Sequence, residues 1–319
     1  MLKKNLALLG LTILVCASQA KANTQMLNVS KQSLLSDATA PLVFGNTYIS
    51  TGASAQVNGN IVANTYLVSG ADTAVKGDIQ VEGAVTTGAT TAVTGYIKAG
   101  TAITLGATTV VDGDLCYGTA LTQGAGASFY YDDCSMEPMT YTRDDVIAAQ
   151  DSFNALTPLY VEDRNQLSPT MPGDLTLNAD DGLTTIIAAT TVVYNATSLT
   201  TAAGVTLRLE GDYDWVFNIT NMLSFGAGTK IVLAEDSEGS VTWNAGGYVS
   251  IGSDAEIAGV ILADGYISTG LRAKVNGRGR YSVTVEPSQS YCGGLFSANS
   301  YVTIGASSSV TCGQLIIAE

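Results

Sequence analysis

The sequence predicts an all-β solenoid of roughly triangular cross-section, wound in 18-residue coils, with one helix packed alongside. Three observations carry this prediction. First, the segments 47–61, 65–79, 83–97 and 101–115 align without gaps, and their starts lie 18 residues apart. Second, aliphatic residues hold fixed columns through all four units: Ile49/Leu67/Val85/Ile103, Val57/Val75/Val93/Val111 and Ile61/Ile79/Ile97/Leu115. Third, glycines stand between the columns, at Gly52/Gly70/Gly88/Gly106 and Gly59/Gly77/Gly95/Gly113. Three short strands per coil, each with one inward aliphatic and a glycine turn, describe a triangle. A single coil cannot bury its inward face, so only the stack is stable, with parallel strands about 4.8 Å apart. Low-complexity disorder would not keep the aliphatic columns in phase.

Taken in chain order, the first element is a secretory signal. Lys3 and Lys4 precede an apolar run, 6–15, that is too short to span a bilayer, and Ala20-Lys21-Ala22 supplies a small-x-small cleavage pattern. Cleavage is expected after Ala22, giving a signal peptide 1–22 and a single solenoid domain 23–319, secreted to the extracellular space or the cell surface. Cys16 raises a lipoprotein reading, but Val15 occupies the position where lipid attachment needs a small residue. No later stretch is apolar enough for a membrane helix. Cleavage removes three lysines and no acid, moving the balance from −14 to −17. So acidic a chain lacks the basic footprint that nucleic acid or anionic lipid requires.

The regular coils span 47–115 and are followed by an expected loop, 116–141. Four cysteines remain after cleavage: Cys116, Cys134, Cys292 and Cys312. An even number in an exported chain points to disulfides. Three pairings are possible; Cys116–Cys134 and Cys292–Cys312 are favoured because each pair is close in sequence and brackets a break in the repeat. No histidine and no CxxC spacing are present, so a metal site is not expected.

A helix is expected over 142–157. Thr142 is its N-cap with Asp145 three residues later, Val146, Ala149, Phe153 and Leu156 follow at helical spacing, and Pro158 helps end it. The apolar stripe implies that the helix lies against the solenoid. From about 175 to 319 the chain returns to coils and a C-terminal cap, through Leu175-Thr-Leu, Val205-Thr-Leu-Arg-Leu and Trp215-Val-Phe-Asn-Ile. The repeat itself reappears at Gly247-Tyr-Val-Ser-Ile-Gly-Ser, at Gly265-Tyr-Ile-Ser-Thr-Gly-Leu and at Ser300-Tyr-Val-Thr-Ile-Gly-Ala.

The order of coils, one helix and further coils resembles the ice-binding proteins of bacteria, fungi and algae. The stretch from Val205 to Ile219 is similar to that family's strand and glycine turn before an apolar Val/Phe/Ile run. The run Ser240-Val-Thr-Trp-Asn-Ala-Gly-Gly-Tyr-Val-Ser-Ile-Gly252 resembles its next coil, where an aromatic and a polar amide precede a glycine, and Ala258-Gly-Val-Ile-Leu-Ala263 and Lys274-Val-Asn-Gly-Arg278 resemble the last ones. The likeness covers about 140 to 285. Residues 47–115 are more regular than the family's N-terminal portion and closer to a generic solenoid such as the bactofilins, against which the signal peptide counts. The cysteine-bearing tail 290–319 also lies outside the pattern. The resemblance implies a discontinuous, right-handed parallel β-helix and adsorption to ice without a chemical step.

Alternation places the neighbours of the inward aliphatics outside. On the first strand one outward column reads Ser50, Val68, Thr86, Thr104, then Ser250, Ser268 and Thr303; on the second it reads Ser54, Asp72, Thr90, Thr108. Hydroxyls beside methyls at the coil spacing suit a water lattice, so Ser50, Thr86, Thr104, Thr90, Thr108, Ser250, Ser268 and Thr303 form the expected ice-binding face. Exposed strands favour Ser and Thr for solubility and β-propensity as well. A second column, Tyr48, Tyr66, Tyr248, Tyr266 and Tyr301, offers an alternative: an extracellular structural or adhesive protein whose tyrosine ladder stacks on polysaccharide. The same ladder equally suits stabilisation of the stack.

An enzyme is not expected. Without histidine there is no Ser–His or Cys–His pair. Of the carboxylate pairs, Asp132/Asp133 and Asp180/Asp181 would point to opposite faces of a strand, and Asp144/Asp145 suit a helix N-terminus. The calcium-binding GGxGxD repeat is missing. Arg272, Lys274, Arg278 and Arg280 form a basic cluster that suits local charge balance. No cofactor is expected, and the chain is read as a monomer whose partner is ice or an extracellular polysaccharide.

Overall fold

Short strands with strict in–out alternation stack into three parallel sheets. The computed structural model describes residues 41–130, 141–156, 168–178, 191–233, 239–276 and 293–311. The expected signal peptide, together with Cys134, Cys292 and Cys312, lies outside these residues.

The coils do not stack in chain order. Sheet B shows the path best. Tyr48–Thr51 pairs with Tyr66–Ser69, then come Ala84–Thr86, Ala102–Leu105 and Ala120–Gln123 toward one end. The chain then returns past its starting point in the helix Arg143–Asn154, here α1. It resumes at the opposite end with Thr170–Met171 and works back through Leu199–Thr201, Leu223–Phe225, Val249–Ile251, Ile267–Thr269 and Val302–Ile304. That last strand pairs with Tyr48–Thr51, Ile49 opposite Val302, so the two halves meet in the middle of one eleven-stranded sheet. Sheets A and C cross the same junction, with Val43 opposite Leu295 and Val57 opposite Val310. The β-helix is therefore discontinuous.

The coil length differs between halves. Partners in the N-terminal half are 18 residues apart, as in Ile49 with Leu67 and Ile103 with Leu121, except at two irregularities, Pro41 with Asn60 and Asp114 with Tyr130. In the C-terminal half a single coil step keeps that spacing, seen in Val249 with Ile267, Trp243 with Ile261 and Ile257 with Val275. Leu199 pairs with Leu223, Leu223 with Val249 and Ile267 with Val302, spacings of 24, 26 and 35. An 18-residue period throughout is thus corrected. Part of the added length lies in sheet A, whose strands Thr191–Ala196 and Asp214–Ile219 reach six residues.

A second correction concerns the expected loop 116–141. Val110–Tyr117 runs through Cys116, and a fifth 18-residue coil follows in Ala120–Gln123 and Ser128–Tyr130. Leu121 stands opposite Ile103 and Phe129 opposite Val111. This coil hides in the sequence because a large Phe takes the place of the inward valine and Gly126 takes the left-handed corner. Cys116 is buried and disulfide-bonded.

The core is the stacked interior. Ile, Val and Leu fill it in the N-terminal half, and in the C-terminal half large aromatic rings join them. Phe217 stacks on Trp243 with ring centroids 4.2 Å apart, and Trp243 meets Phe225 edge-on at 5.0 Å. The register that sets Phe217 against Trp243 also sets Asn218 against Asn244.

Those amides fix the helix. The Asn244 side-chain N–H donates to the Gln150 carbonyl, to Asn154 Oδ1 and to Asn218 Oδ1, and Asn218 donates to the Phe153 carbonyl. The Phe153 carbonyl in the last helical turn thereby gains a donor from sheet A beside the Leu156 N–H. At the other end the Asp145 carboxylate accepts from both the backbone N–H and the hydroxyl of Thr142, at 2.8 and 2.9 Å. Between them Val146, Ala149 and Phe153 pack on the outward side chains of sheet A, Phe44, Val216, Leu262 and Phe296. The helix begins at Thr142 as expected and ends earlier, at Asn154 with Ala155 as C-cap.

Candidate functional site

A three-sided solenoid offers three outer surfaces, and their side chains separate them. Sheet A is covered where α1 lies on it. Sheet C carries charge at many outward positions, among them Arg208, Lys230, Glu256, Lys274 and Asp112. Some of these pair across coils: Lys274 Nζ lies 2.9 Å from Glu256 Oε1. At the adjoining corner Arg272 holds Asp254 with two bonds of 2.6 and 2.8 Å. The Arg272 hydrogen bonds pull the Asp254 carboxyl below its ordinary pKa. Arg272 and Lys274 of the basic cluster are thus locally neutralised.

Sheet B differs. None of the outward residues on its eleven strands is charged. The expected hydroxyl column is brought together: Thr104 stands opposite Thr86, Val68 opposite Ser50, Ser50 opposite Thr303, Thr303 opposite Ser268 and Ser268 opposite Ser250. It extends further at both ends, to Thr122 beyond Thr104 and to Ser224, Thr200 and Thr170 beyond Ser250. Sequence reasoning missed Ser224, Thr200 and Thr170 because their coils are not 18 residues long. Val68, 40% exposed, is the one apolar interruption.

The second expected column is corrected. Ser54, Asp72, Thr90 and Thr108 do not lie on a strand; they form the corner between sheets B and C, with φ of 58, 57, 59 and 56°. Asp254, Arg272 and Ser307 continue this left-handed corner, and Gly126, Gly204 and Gly228 complete it. A left-handed residue costs roughly 1–2 kcal/mol when it is not glycine. Buried hydroxyls offset part of that cost. Thr51, Ser69 and Thr87 bond Thr73, Thr91 and Thr109 at 3.2, 3.3 and 3.1 Å. Thr51 and Thr87 also accept the N–H of Gly70 and Gly106 in the next coil. Each of those glycines lies so close to the neighbouring coil's backbone that no Cβ fits; at Gly88 it would meet Gly70. Thr90 and Thr108 remain exposed at the rim of sheet B, their hydroxyl oxygens 3.5 Å apart.

The tyrosines lie beside the hydroxyl column. Tyr66, Tyr48, Tyr301, Tyr266 and Tyr248 form one continuous stack, with centroid separations of 4.8, 4.6, 5.3 and 5.0 Å. The planes tilt by 12° or less. Their flat faces are therefore spent on one another, and a sugar ring would find only edges and hydroxyls. Desolvation, then the Tyr301 and Tyr66 neighbours, raises the pKa of Tyr48. The stack crosses the junction between the halves at Tyr48–Tyr301.

No helix among the described residues is long and apolar enough to cross a membrane. Among the same residues no group of His, Cys, Asp and Glu is placed to hold a metal ion.

The profile of the ice-binding-like family matches residues 97–310. No curated protein matches the chain. Solved structures that resemble it include an ice-binding protein of the Antarctic ascomycete Antarctomyces psychrotrophicus, 17% identical, covering 87% of this chain and 96% of that one, with a TM-score of 0.48. An ice-binding protein domain of Shewanella frigidimarina is 17% identical, covers 89% and 97%, and scores 0.48. The ice-binding protein of an Arctic yeast is 16% identical, covers 88% and 94%, and scores 0.47. At such scores these structures add nothing to what the coil geometry and the family match establish.

Proposed function

The chain belongs to the ice-binding-like family, and on that premise we propose that it acts by adsorbing sheet B to ice. The observation that carries this choice of face is the charge distribution. Sheet A is occupied by α1 and sheet C bears charged side chains, whereas the outward positions of sheet B carry none. Charged groups hold their own hydration shells at high cost of removal. Hydroxyls with adjacent methyls, repeated at the coil spacing on a flat sheet, order water without binding it as tightly. Adsorbed protein then curves the ice front between molecules and halts its growth, with no chemical step.

The remaining parts of the reading go with that function. We propose a non-enzymatic, secreted monomer, exported by the segment 1–22, with Cys116–Cys134 and Cys292–Cys312 paired. The stacked geometry of the tyrosines does not favour polysaccharide stacking, because the ring faces are already covered.

Recrystallisation inhibition by the purified protein, residues 23–319, tests the proposal. Small ice grains should persist at micromolar protein, and the double variant Thr86→Tyr/Thr104→Tyr should let them coarsen while its circular dichroism is unchanged. Unaltered coarsening with the wild-type protein would overturn ice binding. Full activity in the double variant would clear this face.

A further inference from the structure

Sheet B is uniform in its hydroxyl column and divided in the column beside it. Over the three outermost N-terminal coils that second column is Ala84, Ala102 and Ala120, flanking Thr86, Thr104 and Thr122. Over the five central coils it is the tyrosine stack. A tyrosine reaches further from the sheet than a threonine, and Tyr48, Tyr301 and Tyr266 are held between rings on both faces, with Tyr66 and Tyr248 closing the ends. The stack therefore forms a fixed ridge beside Ser50, Ser268 and Ser250, and a rigid planar solid cannot touch the ridge and those serines together.

Resting on the reading of sheet B as the ice-contact face, we propose that ice contact is confined to the alanine–threonine zone at the N-terminal end. Ala84, Ala102 and Ala120 keep that zone level, and the tyrosine ridge marks its boundary. Two further observations favour this end. Thr90 and Thr108 sit on its rim with their hydroxyls exposed, so the zone carries hydroxyls along two lines. The corner beside the zone, Thr90, Thr108 and Gly126, is also uncharged, whereas Asp72, Asp254 and Arg272 stand at the corner of the central coils. The ridge has a separate task, holding the two half-solenoids together across Tyr48–Tyr301.

The zone has a direct test that leaves the fold intact. Ala84 stands opposite Tyr66, so Ala84→Tyr with Ala102→Tyr extends the existing stack instead of breaking it. This ladder-extending variant is compared with Ser268→Tyr, which adds bulk beside the ridge, both in the chain 23–319. Melting temperature and circular dichroism report folding; the lowest concentration that inhibits recrystallisation reports ice contact. Extending the ladder should raise that concentration at least about tenfold, since a gap of an ångström already forfeits much of the contact energy. Ser268→Tyr should leave it within about twofold, because the serines beside the ridge touch no ice. Equal loss in both variants would show that the whole of sheet B is used and would overturn the zone while leaving the face. Loss in Ser268→Tyr alone would place contact on the central coils and overturn it likewise. Full activity in both would remove the zone and the face together, and an inactive wild-type chain would remove ice binding itself.

Discussion

The two halves of the solenoid reach the same three-sheeted cross-section by different means. The N-terminal half repeats one 18-residue coil and fills its interior with aliphatic residues alone, one or two per strand. The C-terminal half uses coils of 18 to 35 residues and plugs its interior with a few large rings, Trp215, Phe217, Phe225 and Trp243. Yet each half gives sheet B one short strand per coil, and the hydroxyl column passes through the junction unbroken in register. Length variation is diverted elsewhere, for example into the six-residue strands of sheet A beneath α1. The hydroxyl column is thus kept in line while the coils that carry it vary in length.

The contrast can be broken most severely in the core. Trp243→Ala removes the ring that touches both Phe217 and Phe225 and should cost about 3–5 kcal/mol. Val93→Ala, an equivalent deletion in the regular half, removes two carbons and should cost about 2 kcal/mol. Urea midpoints measure both, and equal losses would mean that the aromatic plug is not the keystone of its half.

Next in size is the helix lock. Asn244→Ala strips three bonds from α1, two that Asn244 donates to Gln150 and Asn154 and one that it accepts from the Gln150 amide, and leaves buried polar groups unpaired, at a cost of about 1–3 kcal/mol. Hydrogen exchange should then speed up in residues 143–154 before any change in the N-terminal coils. Uniform acceleration would contradict a local lock.

A smaller gain should come from the corner. The C-terminal half places Gly204 and Gly228 where the N-terminal half holds Thr90 and Thr108 at positive φ. Thr90→Gly should stabilise the protein by roughly 0.5–1 kcal/mol, the relief of left-handed strain less the entropy of a glycine. A lower melting temperature would show that the Thr90 hydroxyl outweighs the strain.

The smallest effects depend on pH and fall in different places. The depressed Asp254 carboxyl contributes stability above its ordinary pKa, lost as pH falls through the lowered value. Tyr48 behaves oppositely: its raised pKa contributes stability below the ordinary tyrosine value, lost as pH rises through the raised one. Acid should therefore loosen the C-terminal half first, whereas alkali acts on the buried Tyr141 and Tyr194 as well as on Tyr48, so Asp254→Asn should flatten the acid arm of the melting-temperature profile and Tyr48→Phe only a small part of the alkaline one.

How far the sequence foretold this depended on whether a column kept its spacing. Ile49, Leu67, Val85 and Ile103 are 18 apart and were legible, as were the five tyrosines that end in one stack. Ser224, Thr200 and Thr170 were not, because parallel pairing, not sequence spacing, brings them into line. Thr90 and Thr108 were misplaced on a strand, since a β-branched residue gives no hint of a left-handed corner; the buried Thr73, Thr91 and Thr109 beneath them were the overlooked signal. The amides Asn218 and Asn244 were seen as part of a family resemblance. Their role in capping α1 needed the fold, because the contacts reach back some 65 and 94 residues.

The central claim is that sheet B, and no other face, meets ice. Fluorescently labelled protein bound to a single growing ice crystal tests it directly, with Thr86→Tyr/Thr104→Tyr on sheet B set against Gln56→Tyr/Ala74→Tyr on sheet C. The account predicts that the sheet C variant coats the crystal as the wild-type protein does and the sheet B variant washes off. Persistent coating by the sheet B variant with loss in the sheet C variant would contradict it.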